Sequence, residues 1–328
     1  MPERKFARRT FLRLAAGAVA LPAVSRAAKA EGYPSRAVRI VVGYAPGGGV
    51  DVTARLIGQW LSERLGQSFI IENRPGAGSN IATEYVIRSP ADGYTLQLID
   101  TTGAINASLY NNLSFNFIRD MAPVAGIMSV PNILLVHPSV PAQNVPEFIA
   151  YAKANAGKIN VASAGTGTSP HLSGELFKTM TGADIVHVPY RGMAPALNDL
   201  LGGQVQASFA TASASIQYVA SGKLKALAVT SAARSEALPN VPAVAEFVSG
   251  YEATTWYGLG APRNTPMGIV DTLNKEVNAA LADSRMRARL ADLAGTTLPG
   301  SPADLARFIA DETEKWGKVI RVAGIKPD

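Results

Sequence analysis

The feature that most constrains this chain is a strand, a glycine turn and a helix in immediate succession. Val38-Arg39-Ile40-Val41-Val42 is a short β-branched run, and Ala45-Pro46-Gly47-Gly48-Gly49 breaks it. Leu56, Ile57, Trp60, Leu61 and Leu65 then recur at helical spacing up to Gly66. Such a unit aims unpaired first-turn amides and the positive end of a helix dipole at one spot, and that spot suits an anion. The glycines let a guest reach the backbone itself. A second copy of the design follows. Ile159-Asn160-Val161-Ala162-Ser163 reads as a strand, Ala164-Gly165-Thr166-Gly167-Thr168-Ser169-Pro170 as a hydroxyl-rich turn, and residues 171–180 as a helix. Two such cradles are expected to face each other across a cleft and grip two ends of one small acid.

Around them, strands alternate with helical patterns, which argues an α/β fold with mostly parallel sheets. Strands are expected over 68–72 and 95–99, with a helix between them from Ser79 or Asn80 to before Pro90. Residues 117–136 break the rhythm. Apolar, extended and interrupted by Pro123 and Pro131, they read as a crossing into a second lobe. There the alternation resumes, with a helix over 146–156 and strands over 159–163, 185–188, 205–210 and 224–229. Helices are expected over 195–201 and 215–221, a loop over 234–242, and a return crossing over 254–262. One closing helix runs through Ile269, Leu273, Val277 and Leu281. The last starts from a variant capping box of Ser301 and Asp304. Lobe 1 is thus expected over 31–130 plus 254–328 and lobe 2 over 131–253. The cleft between them lies where open α/β sheets bind ligands, at the carboxyl ends of strands.

Residues 1–30 are expected to be a secretory signal rather than part of the fold. Arg4, Lys5, Arg8, Arg9 and Arg13 form a basic start, residues 14–24 an apolar run too short for a membrane span, and Ala28-Lys29-Ala30 a cleavage site. Arg8-Arg9-Thr10-Phe11-Leu12-Arg13 also resembles a twin-arginine signal. Seven of the 31 Lys+Arg and one of the 25 Asp+Glu fall in this segment, which leaves 24 of each (31 less 7, 25 less 1) in the rest. The excess positive charge therefore belongs to the leader, and nothing supports nucleic-acid binding. The chain has no cysteine, which removes disulfides, thiol catalysis, thiolate metal sites and a lipidated cysteine. A free, soluble, monomeric periplasmic protein is expected.

Enzymatic chemistry finds little footing. His137, His171 and His187 are the histidines, none at metal-ligand spacing from another. Gly-x-Ser-x-Gly and phosphate-loop motifs are missing, and no carboxylate pair marks a dyad. The turn at Gly165 imperfectly matches a dinucleotide fingerprint, but Asp184 precedes the next strand instead of ending it. No catalytic residue, metal or cofactor is expected.

Several stretches together resemble the Bug family, periplasmic substrate-binding proteins of tripartite tricarboxylate transporters. They are Ala45-Pro46-Gly47-Gly48-Gly49-Val50-Asp51, Glu72-Asn73-Arg74-Pro75-Gly76-Ala77-Gly78, Ala91-Asp92-Gly93-Tyr94-Thr95-Leu96, Pro189-Tyr190-Arg191-Gly192, Leu200-Leu201-Gly202-Gly203-Gln204-Val205, Leu227-Ala228-Val229-Thr230-Ser231 and Trp256-Tyr257-Gly258-Leu259-Gly260-Ala261-Pro262. The likeness runs in the same order from residue 31 onward. It implies a two-lobed, type II periplasmic-binding-protein fold closing on a small carboxylate, held by backbone amides, hydroxyls and ordered waters. It implies ligand contacts from Pro46, Gly47, Gly48 and Asp51 in lobe 1, and from Gly165, Thr166, Gly167, Thr168 and Ser169 in lobe 2. The implied partners are the membrane permease subunits. Where many relatives carry an acid after the strand ending in Phe209, this chain has Ala210 and Thr211, and Val50 stands where relatives often have a hydroxyl. Organic acids are therefore favoured over amino acids.

Other side chains carry two readings each. Asp51 either contacts the guest through water or steadies its own helix start. Tyr44, Thr101, Thr102 and Thr211 end strands near the centre and are candidates to line the cleft. Arg74, Arg191 and His171 could touch the guest or be structural. At the level of function, a receptor that feeds a transporter and a sensor that signals without transport share the same closure, and the residues do not separate them.

Overall fold

The protein is described here by a computed structural model, covering residues 32–110 and 112–326. The expected signal segment lies outside these residues. In chain order, β1 (Val38–Val42), α1 (Gly49–Leu65), β2 (Phe69–Asn73), α2 (Asn80–Ile87), β3 (Thr95–Asp100) and α3 (Thr101–Leu109) form three strand–helix units. A single turn of helix, α4 (Phe117–Asp120), leads into β4 (Met121–Val136), 16 residues long. Then come α5 (Val145–Ala154), β5 (Ile159–Ser163), α6 (Ser169–Thr181), β6 (Ile185–Pro189), α7 (Met193–Leu201), β7 (Ala207–Thr211), α8 (Ala212–Ala220) and β8 (Lys225–Val229). After a loop the chain returns through β9 (Thr254–Pro262) and ends in α9 (Met267–Ala282), α10 (Ser284–Asp292), β10 (Thr296–Thr297) and α11 (Pro302–Ala323).

The strands follow the order β2-β1-β3-β9-β4-β7-β5-β6, with β8 and β10 also pairing to β4. The outer trios are parallel, β1 between β2 and β3, and β5 between β6 and β7. The central pairs β3–β9, β9–β4, β4–β7 and β4–β8 are antiparallel, so the sheet is mixed. Strand–helix units give parallel neighbours, and the two long crossings run against them.

Strand β4 is the joint. Its residues 121–131 pair with β9; from Asn132 onward it pairs with β7 and β8 instead. At that switch the Asn132 amide donates to Thr230 Oγ1 at 2.8 Å, and Thr230 Oγ1 donates to Ala253 O at 2.6 Å. Asn132 and Thr230 are fully buried, so these bonds meet main-chain needs that water cannot. Helix α11 spans the junction. Trp316 and Ile320 join the core that Ile105 and Leu109 of α3 share with Leu134, Phe148 and Phe177. Its capping box forms as expected: Ser301 Oγ accepts from Asp304 N, and Asp304 Oδ2 accepts from Ser301 N.

Two helices and the short strand β10 escape sequence reading. Helix α10 buries only Met286 and Leu290, too thin an apolar stripe to announce a helix, and Asp283 starts it by accepting the amides of Arg285 and Met286. Residues 117–120, expected as extended, form α4 because Asn116 accepts the Arg119 amide and caps a turn.

Candidate ligand-binding site

Helices α1 and α6 open beside the carboxyl ends of β1 and β5, and both N-termini border one cavity. Gly48, Gly49 and Val50 line it from α1; Thr168, Ser169 and Pro170 line it from α6. Tyr44, Ala164 and Met193 come from neighbouring loop and helix starts, Asp100 and Thr211 from strand ends, and Thr255 and Tyr257 from β9. The space is about 360 Å³, counted to its mouth. A wider groove of about 880 Å³ shares Tyr44 and Ala164 and is bordered by Gly78, Gly165, Thr166 and Arg191.

Each loop is stapled from beneath by the side chain four residues on. The Gly47 amide donates to Asp51 Oδ2 at 2.9 Å, and the Gly167 amide donates to His171 Nδ1 at 3.2 Å. Asp51 also takes Arg55 Nε and Nη2 and Asn73 Nδ2, all at 2.9 Å. Burial raises its pKa, but these donors outweigh burial and hold it below the ordinary aspartate value. In the second loop Ser163 Oγ accepts the Gly165 amide, and Thr168 Oγ1 closes on Gly165 O. The donors that remain for a guest are the first-turn amides, Gly49 and Val50 in α1 and Ser169 in α6, which have no intrahelical acceptor. Gly49 has to be glycine: a Cβ there would overlap Ser213 Oγ and approach the Tyr257 hydroxyl to 2.9 Å.

Hydroxyls complete the polar lining. Ser169 Oγ accepts from Asn132 Nδ2 at 2.8 Å and keeps its proton to donate. Thr211 Oγ1 is buried beside Tyr257 with no partner in hydrogen-bonding geometry. Tyr44 donates to Asp100 Oδ2 at 2.7 Å, Thr102 Oγ1 lies 2.7 Å from the Tyr44 hydroxyl, and Tyr257 lies 3.0 Å from Ser213 Oγ. Burial pushes the Tyr44 and Tyr257 hydroxyls upward, so both stay neutral. Burial also lifts Asp100, to about 6, against the bonds from Tyr44 and Thr102. Val50, Ala164, Pro170 and Met193 supply apolar wall between the two cradles. The arrangement suits a molecule with acceptors at both ends and hydrocarbon between.

Residues 53–325 match the tripartite tricarboxylate transporter family receptor. The chain belongs to that family. The receptor is 36% identical over 313 residues to the protein BugT of Bordetella pertussis, covering 94% of this chain and 95% of that one. Among solved structures, the R. palustris protein Rpa4515 with adipate superposes with a TM-score of 0.88 at 41% identity, over 90% of this chain and all of that one. MatC from Rhodopseudomonas palustris with bound malate gives 0.83 at 34% identity, over 88% of this chain and all of that one. These neighbours are two-lobed periplasmic binding proteins, and the mixed sheet flanked by helices is their fold.

Not every residue singled out from the sequence reaches the receptor's cavity. Tyr44, Gly48, Thr168, Ser169 and Thr211 do. Gly165 and Thr166 border the wider groove. Pro46, Gly47 and Gly167 are not in the cavity lining, Pro46 and Gly47 being exposed, and both glycine amides are spent on the staples. Asp51 is turned to Arg55, Asn73 and Gly47, the geometry of its second reading, a side chain that steadies its own helix start. Thr102 stands behind Tyr44 and Asp100. Thr101 accepts the Trp256 amide, Arg74 pairs with Glu72 and lies over Tyr85, and the His171 ring stacks on His187 at 3.9 Å. Gly49, part of the first glycine cradle, lines the cavity as well; missed were Val50, Asp100, Ala164, Pro170, Met193, Thr255 and Tyr257. Asp100 carried a signal, an acid closing the strand of a βα unit; the others gather only through the fold.

Proposed function

We propose that this receptor captures a small di- or tricarboxylate between its lobes and hands it to the permease subunits of a tripartite tricarboxylate transporter. The observation that carries the reading is that the first turns of α1 and α6 open on one cavity, with apolar wall between them. The adipate and malate held by the neighbours fit that chemistry. The lobes are 31–130 plus 254–328 and 131–253; the change of partners along β4 after Pro131 supports the boundary. The ligand residues are Tyr44, Gly48, Gly49, Val50, Thr168, Ser169 and Thr211, with Pro46, Gly47, Asp51, Thr102, Gly165, Thr166 and Gly167 building or bordering their seats. The receptor works as an exported, soluble monomer in the periplasm, and no helix among the described residues is long and apolar enough to cross a membrane. It performs no turnover. Two serine–histidine pairs are close among the described residues, Ser163 Oγ to His187 Nε2 at 2.6 Å and Ser139 Oγ to His137 Nδ1 at 2.7 Å, and both lie outside the cavity lining.

Calorimetry with adipate, malate and matched monocarboxylates tests this. Each cradle gives charge-assisted bonds of about 1.5–3 kcal/mol, so losing one carboxylate lowers affinity about tenfold or more. Equal binding of mono- and dicarboxylates would overturn the two-cradle reading. A dicarboxylate at about a hundred times its dissociation constant also adds about 2.7 kcal/mol of stability, visible as a thermal shift.

A further inference from the structure

The cavity contains an acid where an anion is to bind. Asp100 is 8% exposed and lines the cavity between the cradles. It also lines a second, smaller cavity behind it, bordered by Gln97, Asn106 and Ser79. Among the described residues, no lysine, arginine or histidine lines either space. The ionisable groups facing Asp100 are Tyr44, from the loop after β1, and Tyr257, from β9, both held neutral by burial. On the α2 and α3 side its neighbours are the neutral amides and hydroxyls of the second cavity. Two carboxylates brought together in such a place repel strongly, because little solvent screens them. The amides and hydroxyls of the wall ease one negative charge, but no cationic side chain lining it offsets the second.

We propose that the guest is bound together with one proton, taken from solvent and shared between Asp100 and a carboxylate of the guest. This rests on the carboxylate reading above. No covalent bond changes. The dianion and one solvent proton enter, and the complex holds a carboxyl–carboxylate pair in place of two facing anions. Burial already poises Asp100 to take a proton, lifting it to about 6 in the unliganded protein. Tyr44 and Thr102, both bonded to Oδ2, orient the group.

The test is titration calorimetry of the full chain with adipate and with malate at about pH 7, in buffers of differing ionisation enthalpy. The expected result is uptake of close to one proton per bound acid, and an affinity that falls about tenfold when the pH rises by one unit. Asp100→Asn should bind with no proton uptake and a flat pH dependence. If that variant fails to fold, the proton count of the unaltered protein decides alone. Binding of either acid with no proton exchanged overturns the proposal, as does proton uptake that persists in Asp100→Asn. Failure of all carboxylates to bind at any pH is a different result, and it removes the carboxylate reading itself.

Discussion

The main-chain amide of Ala45 donates to the carbonyl oxygen of Arg191 at 2.9 Å. Backbone alone thus ties the loop after β1 to the loop after β6. Gly192 sits against this bond. A Cβ there would lie 3.0 Å from Ala45 N, and its φ of +142° is one that L side chains rarely adopt. Gly192→Ala should hold the two loops apart and weaken acid binding about tenfold or more. Calorimetry reads the affinity, and solution scattering should show less compaction with a bound acid than in the unaltered protein.

The close approach of Gly49 to Ser213 and Tyr257 makes a sharper prediction. A methyl group at Gly49 intrudes where α1 presents its first amides, so Gly49→Ala should cost at least about tenfold in affinity with the fold kept by far-ultraviolet circular dichroism. Gly268 is the control. It lies in the first turn of α9 with nothing within 4 Å of an added Cβ. Gly268→Ala should leave affinity alone and raise stability by about 0.5 kcal/mol.

Asp51 predicts an acid-dependent stability. Its folded pKa is lowered by Arg55, Gly47 N–H and Asn73 against the upward push of burial. Stabilisation from such a group is complete above the unfolded value and is lost as pH falls through the folded one. Asp51→Asn should therefore lose about 1 kcal/mol near neutral pH, a modest figure because the Arg55 side chain is 54% exposed and solvent-screened. Below about pH 4 it should lack part of the decline seen in the unaltered protein. Thermal denaturation across pH measures both effects.

Thr230 stitches three strands where β4 changes partners. Thr230→Val keeps the shape but leaves the buried Asn132 main-chain amide unsatisfied and the Ala253 carbonyl with only the long bond from Asn132 Nδ2, at a cost of about 2 kcal/mol. Urea denaturation should show the loss as a lower midpoint. An unchanged midpoint would mean that the junction does not depend on this hydroxyl.

Much of this architecture was legible in the residues, and the reason is local. Strand β5 coincides with its expected span because a short strand-like run with Ile159 and Val161 ends at a glycine turn, and α1 and α11 carry full apolar stripes with a cap at one end or both. The crossings announced themselves as apolar segments with proline, too long for a strand of a βα unit. The site was legible only in outline. Sequence marks the glycines, but which amides are already spent depends on Asp51 and His171 reaching back four residues to Gly47 and Gly167. Tyr257, Met193 and Thr255 meet the cradles from distant elements, a convergence with no local signature. Asp100 ended a recognisable strand, yet its solitude among neutral groups appears only when the walls are assembled.

On the carboxylate reading, the two staples, Gly47 to Asp51 and Gly167 to His171, mean that both proposed anion seats are finished before any guest arrives. Holding a charge and choosing a shape are then separate jobs: main chain fixes the first, and a few wall side chains such as Val50, Ala164 and Met193 decide the second. A lineage can thus change its diet by exchanging those walls while the seats stay as they are.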